Sequence, residues 1–193
     1  KGVEQVWNEY KNFINSNGKL DYDGDYPWVL DCSDGGGGDP GGEVDITNDG
    51  GTVSGEYSDS PSREGIENLI DDQSTTKYLT FHNKAWVQYK AKKSYKLVSY
   101  TITSGNDAPS RDPKDWVLQG SNNGRSWVVL DERNNQDFPN RREKRTFTVQ
   151  DAGVYSYYRL TLTNNSGNIL QLSEIELFGK ETSLRSNQKN LEE

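Results

Sequence analysis

The chain has 193 residues and a mass of 21.8 kDa, which is enough for one domain and a short additional segment. Its 22 basic and 30 acidic residues give a formal charge of −8, which argues against a nucleic-acid binder because phosphate affinity comes from clustered Lys and Arg. The single cysteine and the single histidine exclude an internal disulfide, a multi-cysteine zinc site and any site that needs two imidazoles.

The first predicted element is a helix over residues 3–14. Apolar residues recur there at steps of three and four and would line one face. The glycine-rich run ending at Gly42 predicts a flexible linker, so we place a domain boundary after residues 1–42. This segment is expected to be the end of an upstream domain or an element that packs on the main domain.

From about Glu43 onward, apolar residues recur at every second position, the pattern of half-buried strands. Asn123-Gly124 lies between two apolar runs and predicts a hairpin. Short strands separated by turn signals predict an antiparallel sandwich or barrel over residues 43–180, followed by a polar tail over residues 181–193. The predicted strands include the ranges 98–103, 116–120, 126–130, 147–149, 158–163 and 175–177.

Three stretches, in this order, resemble a discoidin domain, also called a coagulation-factor type C domain, whose carbohydrate-binding relatives are the family 32 modules. They are residues 65–78 with 85–89, residues 115–127, and residues 157–160 with 172–177. The resemblance implies an all-β fold, an eight-stranded antiparallel jelly-roll sandwich of the galactose-binding-domain-like kind, over residues 43–180. It also implies an accessory domain that binds rather than reacts, so the chain is predicted not to be an enzyme.

A second, weaker likeness covers residues 1–11, which are similar to the last helix of basic secretory family peptidases. It implies that this chain is the C-terminal piece of a secreted peptidase. The catalytic part, with its two-histidine zinc motif, would then lie upstream and would be a partner domain in the same polypeptide.

The loop from Asn68 to Thr76 is the predicted metal site. Asp71 offers a carboxylate and Thr76 a hydroxyl, and hard oxygen ligands without His or Cys suit calcium, or sodium in a weaker site. The alternative is a metal-free acidic turn with Glu174 in a salt bridge. Asp72 stands where the family often has Gly. The resemblance implies a structural calcium held by Asn68, Gln73 and Ser173 through carbonyls, Thr76 through carbonyl and hydroxyl, and Asp71 and Glu174 through carboxylates.

A sugar site is predicted on three loops. In the sugar-binding relatives a His, an Arg, an Asn and an aromatic residue hold one sugar, since hydroxyls pair with planar polar groups while the C–H face packs on a ring. Two alternatives remain: Arg111 could be locked in salt bridges with Asp112 and Asp115, and His82 could be an ordinary surface residue. The candidate ligand-binding residues are Phe81, His82, Asn106, Asp107, Arg111 and Asn168.

Two further motifs are given no binding role. The basic run over residues 141–145 predicts a solvated strand entrance rather than an anion site. Asn164-Asn165-Ser166 is a glycosylation sequon, which matters only in a glycosylating secretory host.

The leading functional hypothesis is a non-catalytic carbohydrate-binding module of a secreted, periplasmic or cell-surface protein, tethering an attached enzyme to glycans. The alternative is a protein-interaction or packing domain of a secreted metallopeptidase without sugar binding. Membrane binding needs exposed apolar residues with basic neighbours, and the net charge disfavours it.

Overall fold

A computed structural model describes residues 42–182 of the chain. The predicted helix over residues 3–14, most of the linker and the tail beyond residue 182 lie outside the described residues. The strands are β1 (Glu43–Asp45), β2 (Thr52–Gly55), β3 (Tyr78–Thr80), β4 (Lys84–Thr103), β5 (Pro113–Ser121), β6 (Val128–Arg133), β7 (Lys144–Thr148), β8 (Val154–Asn164), β9 (Leu170–Leu172) and β10 (Glu174–Glu181).

All strand pairs in this part of the chain are antiparallel, so the all-β antiparallel prediction is confirmed. Eight strands form the main sheet, and β3 pairs with β9 in a separate two-stranded ribbon. Three short 3-10 helices, Ile46–Asn48, Ile66–Ile70 and Pro109–Arg111, lie in the connections. Within residues 42–182, no helix has the length and apolar character needed to cross a membrane.

The long strand β4 belongs to both layers of a sandwich. Its first part pairs with β2 and β8, and β8 continues to β5 and the edge strand β6. The β4–β8 pairing has a register shift between Lys90 and Tyr95 and ends at Lys96, and the second part of β4 pairs with β10 and β7. One strand therefore crosses from one layer to the other, and β1 forms the far edge by pairing with β10.

Aromatic residues carry much of the core between the layers. Trp116 from β5 donates its indole N–H to the Tyr100 hydroxyl of β4 at 2.7 Å, and both side chains are buried. Phe147 of β7 stacks on Tyr100 with ring centroids 5.2 Å apart and meets Trp116 edge-on at 5.1 Å. These large rings bury much area per residue, which compensates for the low aliphatic content. Trp116 is thus a core residue, as its position in the strand pattern predicts.

The β3–β9 ribbon positions the candidate sites. Tyr78 pairs with Leu172 at one end of the ribbon, and Thr80 pairs with Leu170 at the other. The predicted metal loop runs into the first end and is joined there by Ser173 and Glu174. The turn that carries Phe81 and His82 leaves the second end and is joined there by the loop before β9. The register therefore places the two predicted sites at opposite ends of one short ribbon.

Candidate ligand and cation sites

The first site is the acidic site, which we define as Asp71, Gln73, Thr76, Ser173 and Glu174. The Gln73 amide N–H is shared by two carboxylates, 2.9 Å from Asp71 Oδ1 and 2.7 Å from Glu174 Oε1. The Thr76 hydroxyl lies 2.8 Å from Asp71 Oδ2 and 2.8 Å from the Gln73 carbonyl oxygen. The Glu174 side chain thus reaches a backbone amide 101 positions earlier in the chain.

Glu174 is a buried acid next to another acid. Glu174 is 3% exposed, and its Oε2 has no hydrogen-bond partner among residues 42–182. Burial raises the pKa of Glu174 to about 8, and the nearby negative charge of Asp71 adds to the shift. No Lys or Arg within residues 42–182 forms an ion pair with Glu174, so this part of the chain shows no salt bridge of the kind that the alternative requires.

The donor set of the acidic site fits calcium. Two carboxylates, a hydroxyl and a backbone carbonyl are hard oxygen ligands, and the unpartnered Oε2 of Glu174 lacks only a positive group. Calcium would neutralise the two acids and satisfy that oxygen. The Asn68 side-chain amide is already used, because its Nδ2 donates to the carbonyls of Arg63 and Lys77. A ligand role for Asn68 therefore stays with its own carbonyl, as predicted.

The turn in the acidic site keeps the shape that glycine favours. Asp72 has φ of 58°, a left-handed conformation that costs an L-residue energy but that Asp tolerates better than most. The replacement of glycine by Asp72 therefore leaves the turn intact and puts local strain on this residue.

Three loops meet at the other end of the ribbon. The Asn164 amide N–H donates to the Asn83 carbonyl at 2.9 Å, which ties the turn after β3 to the loop after β8. Asn165 and Ser166 donate to the carbonyls of Asp112 and Ser110, both at 2.8 Å, which ties that loop to the one before β5. The three loops predicted to share a sugar site are therefore adjacent.

The second site is the aromatic site, which we define as Tyr57, Asp59, Phe81 and His82. His82 stacks on Tyr57 with ring centroids 3.5 Å apart and an interplanar angle of 10°. Asp59 holds the turn: it accepts from the Thr80 hydroxyl at 2.8 Å and the Phe81 amide at 3.1 Å, and it lies 3.5 Å from His82 Nε2. His82 is thus an oriented side chain. The Phe81 ring is 55% exposed.

Asp107 is oriented toward the ribbon. Its carboxylate accepts from Lys77 Nζ at 2.9 Å and from Gln171 Nε2 at 3.0 Å. These contacts lower its pKa, with the Lys77 hydrogen bond as the largest cause and Arg111 as a further one. In the described part of the chain, no hydrogen bond or ion pair joins Asp107 to His82.

The salt bridge to Asp112 that was considered for Arg111 is formed by Arg141 instead. Arg141 makes a two-pronged ion pair with Asp112, at 2.9 Å and 2.5 Å, and the Asp112 side chain is 5% exposed. Asp115 accepts instead from the Asn135 amide. Salt bridges to Asp112 and Asp115 therefore do not hold Arg111. The prediction of a solvated run is also wrong for Arg141, because Asp112 and the Phe138 carbonyl hold its guanidinium.

The sequon asparagine is part of the loop framework. Asn164 is buried, and its side-chain N–H group donates to the carbonyls of Ser166, Gly167 and Ile169. In the folded domain this amide nitrogen is inaccessible to a glycosyl donor.

Sequence reasoning missed the residues that hold the sites in place. Tyr57 and Asp59 lie more than twenty positions before His82, and Arg141 is 29 positions from Asp112. An isolated acidic residue in a polar loop carries no periodic signal. The partners of His82 and Asp112 become visible only through strand pairing.

Comparisons with known proteins agree with this fold. A family profile for the F5/8 type C domain matches residues 51–175. An Arabidopsis thaliana peptide-N(4)-(N-acetyl-beta-glucosaminyl)asparagine amidase is 38% identical over 101 residues, which are 48% of this chain and 14% of that protein. The chain therefore spans a small part of the curated relative that it matches.

Three solved structures share the fold. A Clostridium perfringens family 32 module in complex with GalNAc-β-1,3-galactose has a TM-score of 0.60 at 14% identity, covering 70% of this chain and 100% of that one. The family 32 carbohydrate-binding module of Streptococcus pneumoniae EndoD has a TM-score of 0.59 at 15% identity, covering 71% of this chain and 100% of that one. The family 32 module of C. perfringens NanJ, in complex with galactose, has a TM-score of 0.58 at 16% identity, covering 70% of this chain and 98% of that one. At these identities the likeness concerns the fold alone.

Proposed function

Since this chain belongs to the F5/8 type C domain family, we propose that it is a non-catalytic carbohydrate-binding module that recognises glycan ends. Domains of this family are generally non-catalytic binding modules. The observation that carries the proposal is the aromatic site, where an exposed ring and an oriented imidazole lie beside two further polar loops.

The aromatic site offers what a sugar ring needs. Phe81 presents an apolar face to the C–H side of a pyranose. His82, fixed by Tyr57 and Asp59, offers a hydrogen-bonding edge in one orientation. Because these groups are held before the ligand arrives, little conformational entropy is lost when it binds.

The neighbouring loops would complete the sugar site. Arg111 has no ion pair within residues 42–182 and can donate to sugar hydroxyls, with Asn106 and Asn168 as further exposed amides. Asp107 would act through its contacts with Lys77 and Gln171, positioning the loop that carries Asn106 and Arg111.

Calcium at the acidic site would have a structural role. Asp71, Thr76 and Glu174 would hold the ion through side chains and Gln73 through its carbonyl, with Asn68 and Ser173 adding carbonyls as predicted. The ion would supply the positive charge that the buried carboxylates lack and would tie the loop to the start of β10.

The biological role would be to tether. A domain of this kind raises the local concentration of an attached enzyme at glycans on a secreted, periplasmic or cell-surface protein. The amidase relative and the glycan-bound structural neighbours support a glycan partner. The attached enzyme would be an upstream domain of the same polypeptide, with a secreted peptidase as the predicted kind.

Calorimetry with the full chain tests the proposal. The panel holds galactose, GalNAc-β-1,3-galactose and a peptide carrying an asparagine-linked N-acetylglucosamine, each at millimolar concentration. We expect binding of at least one, weakened about tenfold or more by Phe81→Ala. Val129→Ala, an exposed valine on β6, is the matched control and keeps the wild-type affinity. Folded wild-type protein that binds none of the three contradicts the proposal and favours the packing-domain alternative.

A further inference from the structure

A second group of acids lies beside the acidic site, at the border of a surface cavity. The cavity has a volume of about 230 Å³. Its lining is mostly polar or charged and includes Asp72, Ser74, Thr103, Arg142, Lys144, Glu174 and Glu176.

Three carboxylates come together at this place. Asp45, Asp72 and Glu176 each offer an oxygen, and these oxygens all lie within 4.8 Å of one another. They come from three separate elements: the end of β1, the turn before β3, and β10. Like charges at this distance repel, so their convergence needs a compensating positive charge.

Two basic residues, Arg142 and Lys144, line the cavity, but within residues 42–182 only Lys144 forms an ion pair with one of the three carboxylates. Lys144 Nζ lies 2.7 Å from Glu176 Oε2, which also accepts from the Thr101 hydroxyl at 2.6 Å. Asp45 accepts from the Thr47 amide at 2.9 Å and from the Thr47 hydroxyl through Oδ1, and from Asn48 Nδ2 at 3.2 Å through Oδ2, so three neutral donors and no cation satisfy its carboxylate. The Asp72 carboxylate accepts no hydrogen bond from any residue within 42–182.

An independent observation concerns Thr103, which lines the same cavity. Thr103 is 1% exposed, and its Oγ1 has no hydrogen-bond partner in the described part of the chain. A buried hydroxyl without a partner is costly and uncommon in folded proteins. Thr103 pairs with Glu174 across β4 and β10, and the unpartnered Oε2 of Glu174 belongs to the same lining. The cavity wall therefore presents hard oxygen atoms that have no partner among residues 42–182.

The geometry points to a second calcium site, held by the carboxylates of Asp45, Asp72 and Glu176 with the Thr103 hydroxyl beside it. Carboxylates from flexible, separate segments suit calcium better than magnesium, which demands a near-ideal octahedron. Neither Asp45 nor Glu176 is among the six predicted ligands of the first calcium, so the two sites are distinct neighbours.

The second ion would stabilise the pairing of β1 with β10. Strand β1 has only three residues, lies at the edge of the sheet and pairs with β10 alone. A cation that bridges Asp45 to Glu176 would add a link between β1 and β10, and Asp72 would connect both to the turn. The site would thus resist separation of β1 from the sheet.

Lys144 makes the inference specific. Its ammonium group lies 2.7 Å from Glu176 Oε2 and would compete with calcium for this carboxylate. Removing this charge with Lys144→Met is expected to tighten calcium binding at the second site several-fold. If the three acids serve only to form the ion pair with Lys144 and bind no calcium, Lys144→Met leaves calcium binding unchanged, and the inference is wrong.

Isothermal titration of the chelator-treated full chain with calcium tests the site. Wild type is expected to bind two ions. Asp45→Asn, which keeps a good helix-capping side chain, and Glu176→Gln should each remove or weaken one ion by at least about tenfold. Glu132→Gln, an exposed acid on β6, serves as the control and keeps both ions.

Asp71→Asn separates the two sites, because it should remove the first ion and leave the second. A wild-type stoichiometry of one ion that is lost in Asp71→Asn and kept in Asp45→Asn overturns the second site. One ion that is lost in Asp45→Asn and kept in Asp71→Asn supports the second site and overturns the first. A titration in which Asp45→Asn matches wild type at two ions also overturns this inference.

Discussion

The two ends of the β3–β9 ribbon differ in how their carboxylates are satisfied. At the acidic site, two carboxylates are brought together in a buried place where they repel and one oxygen has no partner. At the aromatic site, the single carboxylate of Asp59 accepts from a hydroxyl and an amide and lies 3.5 Å from the His82 imidazole, and the Phe81 side chain beside it is exposed.

Under the proposed function, this difference separates a structural end of the ribbon from an end that would recognise a ligand. A buried site with excess negative charge is incomplete until a cation binds, so its ligand is part of the fold. An exposed site with satisfied hydrogen bonds is complete by itself, so its ligand can come and go. Four predictions test this contrast, from the largest expected effect to the smallest.

The largest effect concerns a buried charge that is already paired. Arg141→Met leaves Asp112 buried without its partner, and we expect the free energy of unfolding to fall by about 3 kcal/mol. Urea denaturation measures the loss. Arg125→Met, an exposed arginine in the β5–β6 turn, should have almost no effect. If Arg141→Met matches this control, buried pairing does not hold the loops, and the contrast between the two ends weakens.

The next effect is a pH dependence from Glu174 in calcium-free protein. Its folded-state pKa is raised from 4.5 to about 8, so the folded state keeps a proton that the unfolded state has lost. The free energy of unfolding should therefore fall as the pH rises from about 4.5 to about 8. The full shift corresponds to about 5 kcal/mol, and relaxation and water entry around the charged carboxylate reduce the expected fall to on the order of 2 kcal/mol.

Glu174→Gln is the matched variant for this pH dependence, since it cannot lose a proton. Its stability in chelator should decline less than that of wild type over the same pH window. Calcium should reverse the trend in wild type, because it binds the deprotonated acid. Parallel pH profiles for the two proteins would show that Glu174 is not a buried acid of raised pKa.

A smaller effect is expected at the aromatic site. Asp59→Asn weakens the bonds that orient Phe81 and His82, so glycan affinity should fall about tenfold, or about 1.4 kcal/mol. The free energy of unfolding should change by less than about 1 kcal/mol. Calorimetry and urea denaturation measure the two quantities. Asp151→Asn, on the exposed β7–β8 turn, should change neither. A loss of stability with unchanged affinity would make Asp59 a structural residue.

The smallest effect concerns the strained turn. In calcium-free protein, Asp72→Gly relieves a left-handed backbone with φ of 58° and removes a repelling charge, so stability should rise by roughly 0.5 kcal/mol. Asp151→Gly, at φ of 49°, shares the backbone relief but lies on an exposed turn outside the acidic cluster. A gain in Asp72→Gly that does not exceed the gain in Asp151→Gly would mean that charge repulsion near Asp72 is negligible.

Much of the fold follows from local patterns. The alternation around Tyr100 and Leu160 predicts half-buried strands, and Asn123-Gly124 predicts the hairpin between β5 and β6, which the structure confirms. These features depend on neighbours within a few residues, where sequence spacing and spatial spacing agree.

The sites were only partly accessible in this way. Asp71 and Thr76 lie in one loop, so their oxygen atoms could be predicted as metal ligands from the sequence. Glu174 was added to this set only because of the family resemblance. Asp59 and Arg141 were missed, because each acts on a residue more than twenty positions away. Their roles follow from the pairing of strands, which no local pattern specifies.

The sequence alone determined that this chain forms antiparallel β structure and which loops carry oxygen, imidazole and aromatic groups, because periodicity and residue chemistry are local properties. Only the tertiary structure decided which of these groups meet. It paired Asp112 with Arg141, stacked His82 on Tyr57 and brought Asp45 and Glu176 to Asp72. Charge repulsion and hydrogen bonding act over a few ångströms of space, whatever the distance along the chain.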